Sequence, residues 1–277
     1  MKISTALNLA VTALKDAGVD TPALDAKILL EQATGKTRAQ IISHNEYELN
    51  RDEEAVFNIL LQKRQSRIPV SQILGHKEFY GRDFVVDNNV LIPRPETELI
   101  IDVAKELFSA EDNFNILDLG TGSGCILLTL LKEFPQAKGT GADISKKAIA
   151  IAEKNRYNLG VDSAEFVYSD WLETVKTGMN FELVVSNPPY ISLSESKSLD
   201  KELDFEPDTA LFAAENGLEC YRKIAESLNK VNFKYLILEI GMNQENDVIE
   251  IFEKHNIKFL KYYKDLNQII RTLTFTS

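Results

Sequence analysis

The stretch Val184-Val185-Ser186-Asn187-Pro188-Pro189-Tyr190 runs from an apolar segment into a stiff bend. Proline fixes its own φ and keeps the preceding residue extended, so two in succession hold the chain rigidly. The Asn187 side chain and the Pro188 carbonyl can then aim two hydrogen-bond acceptors at one atom, and Tyr190 adds a flat face for a planar group. That set suits an NH2 group with a delocalised lone pair, an amide or an aromatic amine. Gripping both N–H bonds aligns the nitrogen with an electrophile and favours the pyramidal geometry that forms during attack. Such positioning is a major source of rate, and acceptors matched to charge developing on nitrogen add an electrostatic part. No strong base is required, because the proton can leave afterwards. Asn-Pro-Pro is also an ordinary turn sequence. The chemical reading rests on where it falls, at the end of the fourth apolar run of a series.

The first run of that series, Ile116-Leu117-Asp118-Leu119, leads into Gly120-Thr121-Gly122-Ser123-Gly124. Glycines let the backbone turn sharply and let a ligand approach the main chain. Asp143 follows at the end of the second run, where an acid accepts hydrogen bonds from ribose hydroxyls. The G-x-G-x-G spacing differs from the G-x-G-x-x-G of dinucleotide enzymes and suits an adenosyl cofactor without a pyrophosphate. A tight strand-to-helix turn with no ligand is the plain alternative. Asp170-Trp171 follows the third run, and the indole offers a flat surface for an adenine; a core tryptophan is the competing reading.

Positioning these loops requires alternating strands and helices. Strands are expected at 116–119, 137–143, 165–168, 181–186 and 235–240, with helices at 126–131, 145–158 and 243–255. A late strand pair, 258–263 and 268–275, has no helix between its members. The alternation predicts an α/β domain with a mostly parallel, doubly wound sheet, and the late pair an antiparallel edge. Pro95 opens a helix carrying Leu99, Ile100, Val103, Ala104 and Leu107.

Residues 1–68 read as helical. Leu7, Ala10, Val11 and Leu14 recur at helical spacing, and Thr21-Pro22 reads as a cap followed by proline at the first helical position. Thr37 with Gln40 and Asn50 with Glu53 form capping-box patterns. The second box opens a helix whose expected apolar stripe is Val56, Ile59, Leu60 and the stem of Lys63. No titratable cluster stands out, so the segment is a packing or partner-docking module. Residues 69–91, with Val70, Ile73, Leu74, Phe79, Tyr80, Phe84 and Val86 around Gly75 and Gly81, read as a β-hairpin linker. Residues 92–277 form the catalytic domain.

The 277 residues are 44% hydrophobic and 26% charged, with a net charge of -11. Residues 1–68 balance their charges, so the acidic excess lies beyond them. Nucleic-acid binding draws on phosphate neutralisation, so direct binding to nucleic acid is not expected. No apolar run approaches a bilayer span, and Met1–Asn8 shows no signal-peptide pattern; a cytoplasmic protein is expected. Cys125 and Cys220 show neither metal nor redox spacing, and no metal is expected.

These residues resemble the HemK/PrmC family, the peptide chain release factor glutamine methyltransferases. The resemblance covers nearly the whole chain, through Gly81-Arg82-Asp83-Phe84, Ile92-Pro93-Arg94-Pro95-Glu96-Thr97-Glu98, the Asp118–Gly124 loop, Asp143, Asp170-Trp171 and Asn187–Tyr190. The Pro-Arg-Pro-Glu-Thr-Glu segment is the most specific part, because Asn-Pro-Pro-Tyr also occurs in DNA and RNA amine methyltransferases. The resemblance implies a Rossmann-like class I methyltransferase fold, with a mostly parallel seven-stranded sheet and a small N-terminal helical domain. It implies S-adenosyl-L-methionine as cofactor, with S-adenosyl-L-homocysteine as product. Gly120, Thr121, Gly122, Ser123, Gly124, Asp143, Trp171 and Asn187 would bind it. Asn187, Pro188, Pro189 and Tyr190 would hold the glutamine of a release factor's Gly-Gly-Gln loop. A monomer is expected.

Two departures from the family pattern stand out. Ala213-Ala214 and Asn216 replace a usual Gly-Gly and Asp within Ala210–Leu218, and Gln268 replaces a usual glycine. Arg94 and Glu96 read either as pocket-shaping or as an interdomain ion pair. Glu195, Asp200, Glu202, Asp204, Glu206 and Asp208, set against Lys197 and Lys201, read either as an acidic rim attracting a basic partner or as a solvated helix face. The rival functions are a nucleic-acid amine methyltransferase and a cofactor-binding scaffold.

Overall fold

The computed structural model describes residues 1–195 and 199–277, in two compact units. The first comprises Met1–Gly75 with Asp200–Phe205. Its helices are α1 (Ile3–Asp16), α2 (Pro22–Thr34), α3 (Arg38–Ser43), α4 (Arg51–Gln65) and α5 (Val70–Leu74). Both capping boxes form, on Thr37 with Gln40 and on Asn50 with Glu53. Thr21 does not cap α2; its hydroxyl donates to Asp25 Oδ1 instead, at 2.8 Å. Ile3, Ala6, Ala10 and Leu14 meet Leu29, Leu30, Phe57 and Leu60 in one core.

Helix α4 departs from its expected stripe. Phe57, Leu60 and Arg64 face inward, whereas Val56 and Ile59 are 42% and 55% exposed. The buried Arg64 guanidinium donates to Asp25 Oδ2 at 2.7 Å, to Glu202 Oε1 at 2.5 Å and to the Ile68 carbonyl at 3.2 Å. A buried charge is tolerated only when matched in this way, and seating the pair sets the rotation of the helix. The module therefore buries a titratable cluster that its sequence does not advertise. Val70, Ile73 and Leu74 likewise lie on a helix, α5, not on a strand; Gly75 ends it in the left-handed region at φ 80°.

The second unit comprises His76–Leu199 and Glu206–Ser277. It opens with an antiparallel hairpin of β1 (His76–Phe79) and β2 (Arg82–Val85). Tyr80 and Gly81 make its turn with φ of 50° and 72°, as two-residue hairpin loops prefer. Strands β3 (Asn115–Leu119), β4 (Lys138–Asp143), β5 (Ala164–Tyr168), β6 (Asn180–Ser186), the two-residue β7 (Ile191–Ser192) and β8 (Phe212–Ala213), β9 (Asn232–Glu239), β10 (Lys258–Lys264) and β11 (Ile270–Thr276) follow. A 3-10 turn, Pro95–Thr97, leads into α6 (Glu98–Leu107). The remaining helices are α7 (Cys125–Glu133), α8 (Lys146–Leu159), the single turns α9 (Asp208–Leu211) and α10 (Ala214–Gly217), α11 (Glu219–Ser227) and α12 (Glu245–Lys254).

The main sheet has seven strands in the order β10-β11-β9-β6-β3-β4-β5. Only β11 runs opposite to the other six strands, pairing antiparallel with β10 and β9, as the late strand pair requires. Alternation sends successive side chains to opposite faces. Ile116, Leu183, Val185 and Ile237 pack with Ile100, Ile101, Leu127 and Leu130 of α6 and α7 on one face. Leu117, Val184, Leu236 and Leu238 pack with Tyr221, Ile224, Val248 and Phe252 of α11 and α12 on the other. The strand order reverses between β3 and β6, which is where ligands of open α/β sheets bind, beyond the carboxyl ends.

Candidate active site

Strands β3, β4 and β6 end level. Leu119 pairs with Ser186 on one side and with Ala142 on the other. The Ser186 hydroxyl donates to the Leu119 carbonyl at 2.6 Å. The residues that follow, Gly120, Asp143 and Asn187, therefore emerge side by side.

The glycine loop is tied from both ends. The Gly120 and Thr121 amides donate to the Ala142 carbonyl at 2.9 and 3.0 Å, and the Gly124 amide donates to the Thr121 carbonyl at 2.8 Å. Gly120, Gly122 and Gly124 all have positive φ, which L side chains rarely adopt. At Gly124 a Cβ would also sit 3.1 Å from Phe166 and 3.2 Å from Ala152 and Leu128. At Gly120 no atom lies within 4 Å of where a Cβ would stand. That backbone therefore faces open space. Asp143 braces the loop, Oδ2 accepting from the Gly122 amide at 2.9 Å and Oδ1 from the Ser145 amide at 2.8 Å. Burial raises its pKa, and those two amides oppose the rise.

A cavity of about 280 Å³ lies here, lined by Gly120, Gly122, Asp143, Trp171, Asn187 and Pro189 among others. Its size is close to the ~300 Å³ at which small-molecule sites begin. A larger hollow of about 540 Å³ is flanked by Asn115, Lys138, Ala164 and Asn180. These begin β3, β4, β5 and β6, so that hollow lies at the end of the sheet away from the loops. An open backbone face, a ribose-ready carboxylate and an aromatic wall around one cavity fit an adenosyl cofactor.

Not every expected residue reaches the cavity. Thr121 and Ser123 are buried, and the Thr121 hydroxyl donates to Asp118 Oδ2 at 2.6 Å. Gly124 packs inward, and Pro188 is buried. Trp171 is half-buried, with a φ of 46°, and packs against the core while also lining the cavity. Tyr190 does not line the cavity; its phenol donates to Glu239 Oε1 at 3.3 Å. Asn187 Nδ2 donates to Thr97 Oγ1 at 3.0 Å, which leaves Oδ1 as the acceptor side of the amide.

The acidic stretch after Tyr190 is neither a continuous rim nor a solvated helix face. Asp200 pairs with Arg67 at 2.5 Å, and Glu202 pairs with Arg64. Glu206 is buried, accepting from the Ile92 amide at 2.8 Å and from Arg94 at 2.5 Å. Arg94 thus makes its ion pair inside the second unit, not between units. Asp204, Asp208 and Lys201 are exposed, and Lys197 lies outside the described residues. Of the departures from the family pattern, Ala213 and Asn216 suit their backbone, whereas Gln268 holds a left-handed position that glycine takes without strain. Ala213 is extended, at φ -129°, in its pairing with Ser192. Gln268 takes the left-handed conformation itself, at φ 64°, as does Asn216 at 57°.

Four polar residues stand out that spacing does not mark. Thr97, Asp118, Glu206 and Glu239 are all buried. Burial pushes Asp118 up to about 7, against the Thr121 hydroxyl, with the Asp143 charge adding to the rise. Burial likewise pushes Glu239 up to about 7, opposed by Thr97, Tyr190 and Arg271 and assisted by Glu96. A signal existed: Asp118 and Glu239 each interrupt an apolar run near a strand's carboxyl end. Cys220, Glu219 and Lys223 of α11 also line the cavity. Among the described residues no cluster could hold a metal ion, and no helix is long and apolar enough to cross a membrane.

Comparison with known proteins converges. The family described as PrmC N-terminal domain matches residues 5–75, and the methyltransferase small domain matches residues 97–203. The release factor glutamine methyltransferase of Caulobacter vibrioides is 40% identical over 258 residues, covering 92% of this chain and 89% of that protein. The protein of the same name from Koribacter versatilis is 39% identical, covering 91% and 90%. The crystal structure of a methyltransferase from Pyrococcus furiosus shares the fold with a TM-score of 0.54 at 19% identity, covering 78% of this chain and 98% of that one. With identity of this extent along both units, the chain belongs to the release factor glutamine methyltransferase family.

Proposed function

We propose that this enzyme methylates the side-chain amide nitrogen of the glutamine in the Gly-Gly-Gln loop of peptide chain release factors, using S-adenosyl-L-methionine. The observation that carries the reading is the level ending of β3, β4 and β6, which brings Gly120, Asp143 and Asn187 to one cavity. Gly120–Gly124, Asp143, Trp171 and Asn187 hold the cofactor, and Asn187–Tyr190 the glutamine. Of these, Thr121, Ser123 and Gly124 act by shaping the loop from beneath.

When bound, the cofactor supplies an electrophilic methyl group on a sulfonium. Asn187 Oδ1 and the Pro188 carbonyl accept the two N–H bonds of the glutamine amide and turn its lone pair toward that methyl. The nitrogen gains a carbon bond and loses one proton to solvent, so no side chain needs to act as a strong base. Buried Pro188 keeps the bend rigid, and the Gln244 amide supports it by donating to the Tyr190 carbonyl at 3.1 Å. Tyr190 contributes by bracing the bend through Glu239. The first unit serves as a substrate-docking domain and the second carries the catalysis, in a cytoplasmic monomer that does not bind nucleic acid directly.

The test incubates the protein with labelled cofactor and either release factors or nucleic acid. Mass spectrometry should place one methyl on the loop glutamine, and label on nucleic acid alone would overturn the reading. Asn187→Ala should lower kcat sharply even at saturating cofactor; unchanged turnover in the cofactor-loaded variant would refute the acceptor role.

A further inference from the structure

An asparagine amide serves as an acceptor only in one of its two flips, and the flip must be imposed by its partners. Asn187 Nδ2 meets Thr97 Oγ1 at 3.0 Å. A threonine hydroxyl has one proton to give, so which way the amide points depends on where that proton goes. Behind Thr97, itself 2% exposed, lies Glu239, 1% exposed at the end of β9. The Tyr190 phenol donates to its carboxyl, and the Thr97 hydroxyl faces that carboxyl closely enough to favour the ionised form, without an aligned hydrogen bond between them. The phenol meets Oε1 at 3.3 Å, whereas Oε2 has no well-aligned partner. Glu239 is further anchored through its backbone carbonyl, which accepts from the buried Tyr221 phenol at 3.1 Å.

We propose that Glu239 and Thr97 are positioning residues that lock the flip of Asn187, so that Oδ1 and not Nδ2 faces the substrate NH2. Glu239, an acceptor, draws the Thr97 proton to itself. The Thr97 oxygen is then left to accept from Nδ2. Without that acceptor the Thr97 proton can turn to Asn187 Oδ1, and the flipped amide presents two donors to a substrate group that also donates. Tyr190, held by the same carboxyl, keeps the far end of the bend in register. Arg271 favours the ionised form of Glu239 and Glu96 opposes it, and the buried Tyr221 and Cys125 also feel its charge. This inference builds on the proposed function, because the substrate must present an NH2 group.

The test uses the full chain with cofactor at pH 8, in two parts. In the first, the Asn187 side-chain NH2 resonances are followed in isotopically labelled protein without any substrate. Thr97→Val and Glu239→Leu should both shift and broaden them, while Thr97→Ser and Glu239→Gln, which keep the hydroxyl and an acceptor, should leave them near their wild-type positions. Unchanged resonances in Thr97→Val would overturn the proposal, whatever the protein methylates. In the second, the same variants are assayed on a release factor. Thr97→Val and Glu239→Leu should each lower kcat about tenfold, roughly the preference one hydrogen bond supports, with cofactor affinity unchanged. The double variant should be no slower than the worse single one, because both act through one amide. A kcat loss in Thr97→Ser equal to that of Thr97→Val, or additive losses in the double variant, would also overturn it. An inactive wild type whose resonances respond as described refutes the assigned substrate and leaves the flip lock standing.

Discussion

Replacing Asp143 by asparagine removes a charge and one acceptor while keeping the side chain's shape. In the wild-type chain Oδ2 accepts from the Gly122 amide at 2.9 Å and Oδ1 from the Ser145 amide at 2.8 Å. Each oxygen keeps a second lone pair for a ribose hydroxyl. In Asp143→Asn one position becomes an NH2 group. Whichever flip it takes, one backbone amide then faces a donor, and one ribose hydroxyl loses its acceptor. A hydrogen bond to a charged group contributes about 1.5–3 kcal/mol. Losing the one to ribose alone should weaken cofactor binding roughly 10- to 100-fold. Isothermal titration with S-adenosyl-L-methionine and with S-adenosyl-L-homocysteine measures this directly, with circular dichroism confirming the fold. At saturating cofactor kcat should change little, because Asp143 does not approach the reacting nitrogen. Burial raises the Asp143 pKa, so wild-type affinity should fall on the acid side as the carboxyl takes up its proton, and the asparagine variant should lose that dependence. A dissociation constant within about twofold of wild type would refute the role of the carboxylate.

Arg64→Ala should destabilise the first unit by about 3–5 kcal/mol, because it strands the buried Asp25 carboxylate; Arg64→Met with Asp25→Leu should recover much of that loss in denaturant titrations. The cofactor-free protein should lose stability as pH rises from about 5 to 8. Asp118 and Glu239 start from 3.8 and 4.5 and are both pushed up to about 7. The native state thus holds protons that the unfolded chain has already released, and the stability this confers is complete at acid pH and is lost as pH rises through 7. Glu239→Gln should flatten the trend in melting temperatures taken across that range, and a trend of the opposite sign would show that these carboxyls are not the controlling groups.

The chemistry-bearing loops were legible because their residue types are dictated by backbone and by reacting atoms. Glycines at positive φ, an acid closing the second strand and a doubled proline after the fourth each carry a local reason that survives without coordinates. The strands were legible for a similar reason, since burial on both faces writes nearly continuous apolar runs such as Ile116–Leu119 and Leu183–Val185. The reversed strand next to the edge followed from two late runs with no helix between them. Rotation of a helix about its axis was not legible where a charge sits in the core. Val56 and Ile59 look like core residues until Arg64 takes the inward position with Asp25. The acidic stretch misled for the same reason: Asp200, Glu202 and Glu206 are spent on arginines far away in sequence. The orientation of the Asn187 amide depends on Thr97 and Glu239, which lie on different elements. Sequence determines what is local, backbone conformation and the apolar period. Pairing of buried polar groups is a property of three-dimensional neighbourhood, because a hydrogen bond depends on distance and direction and not on separation along the chain, and so only the tertiary structure decided it.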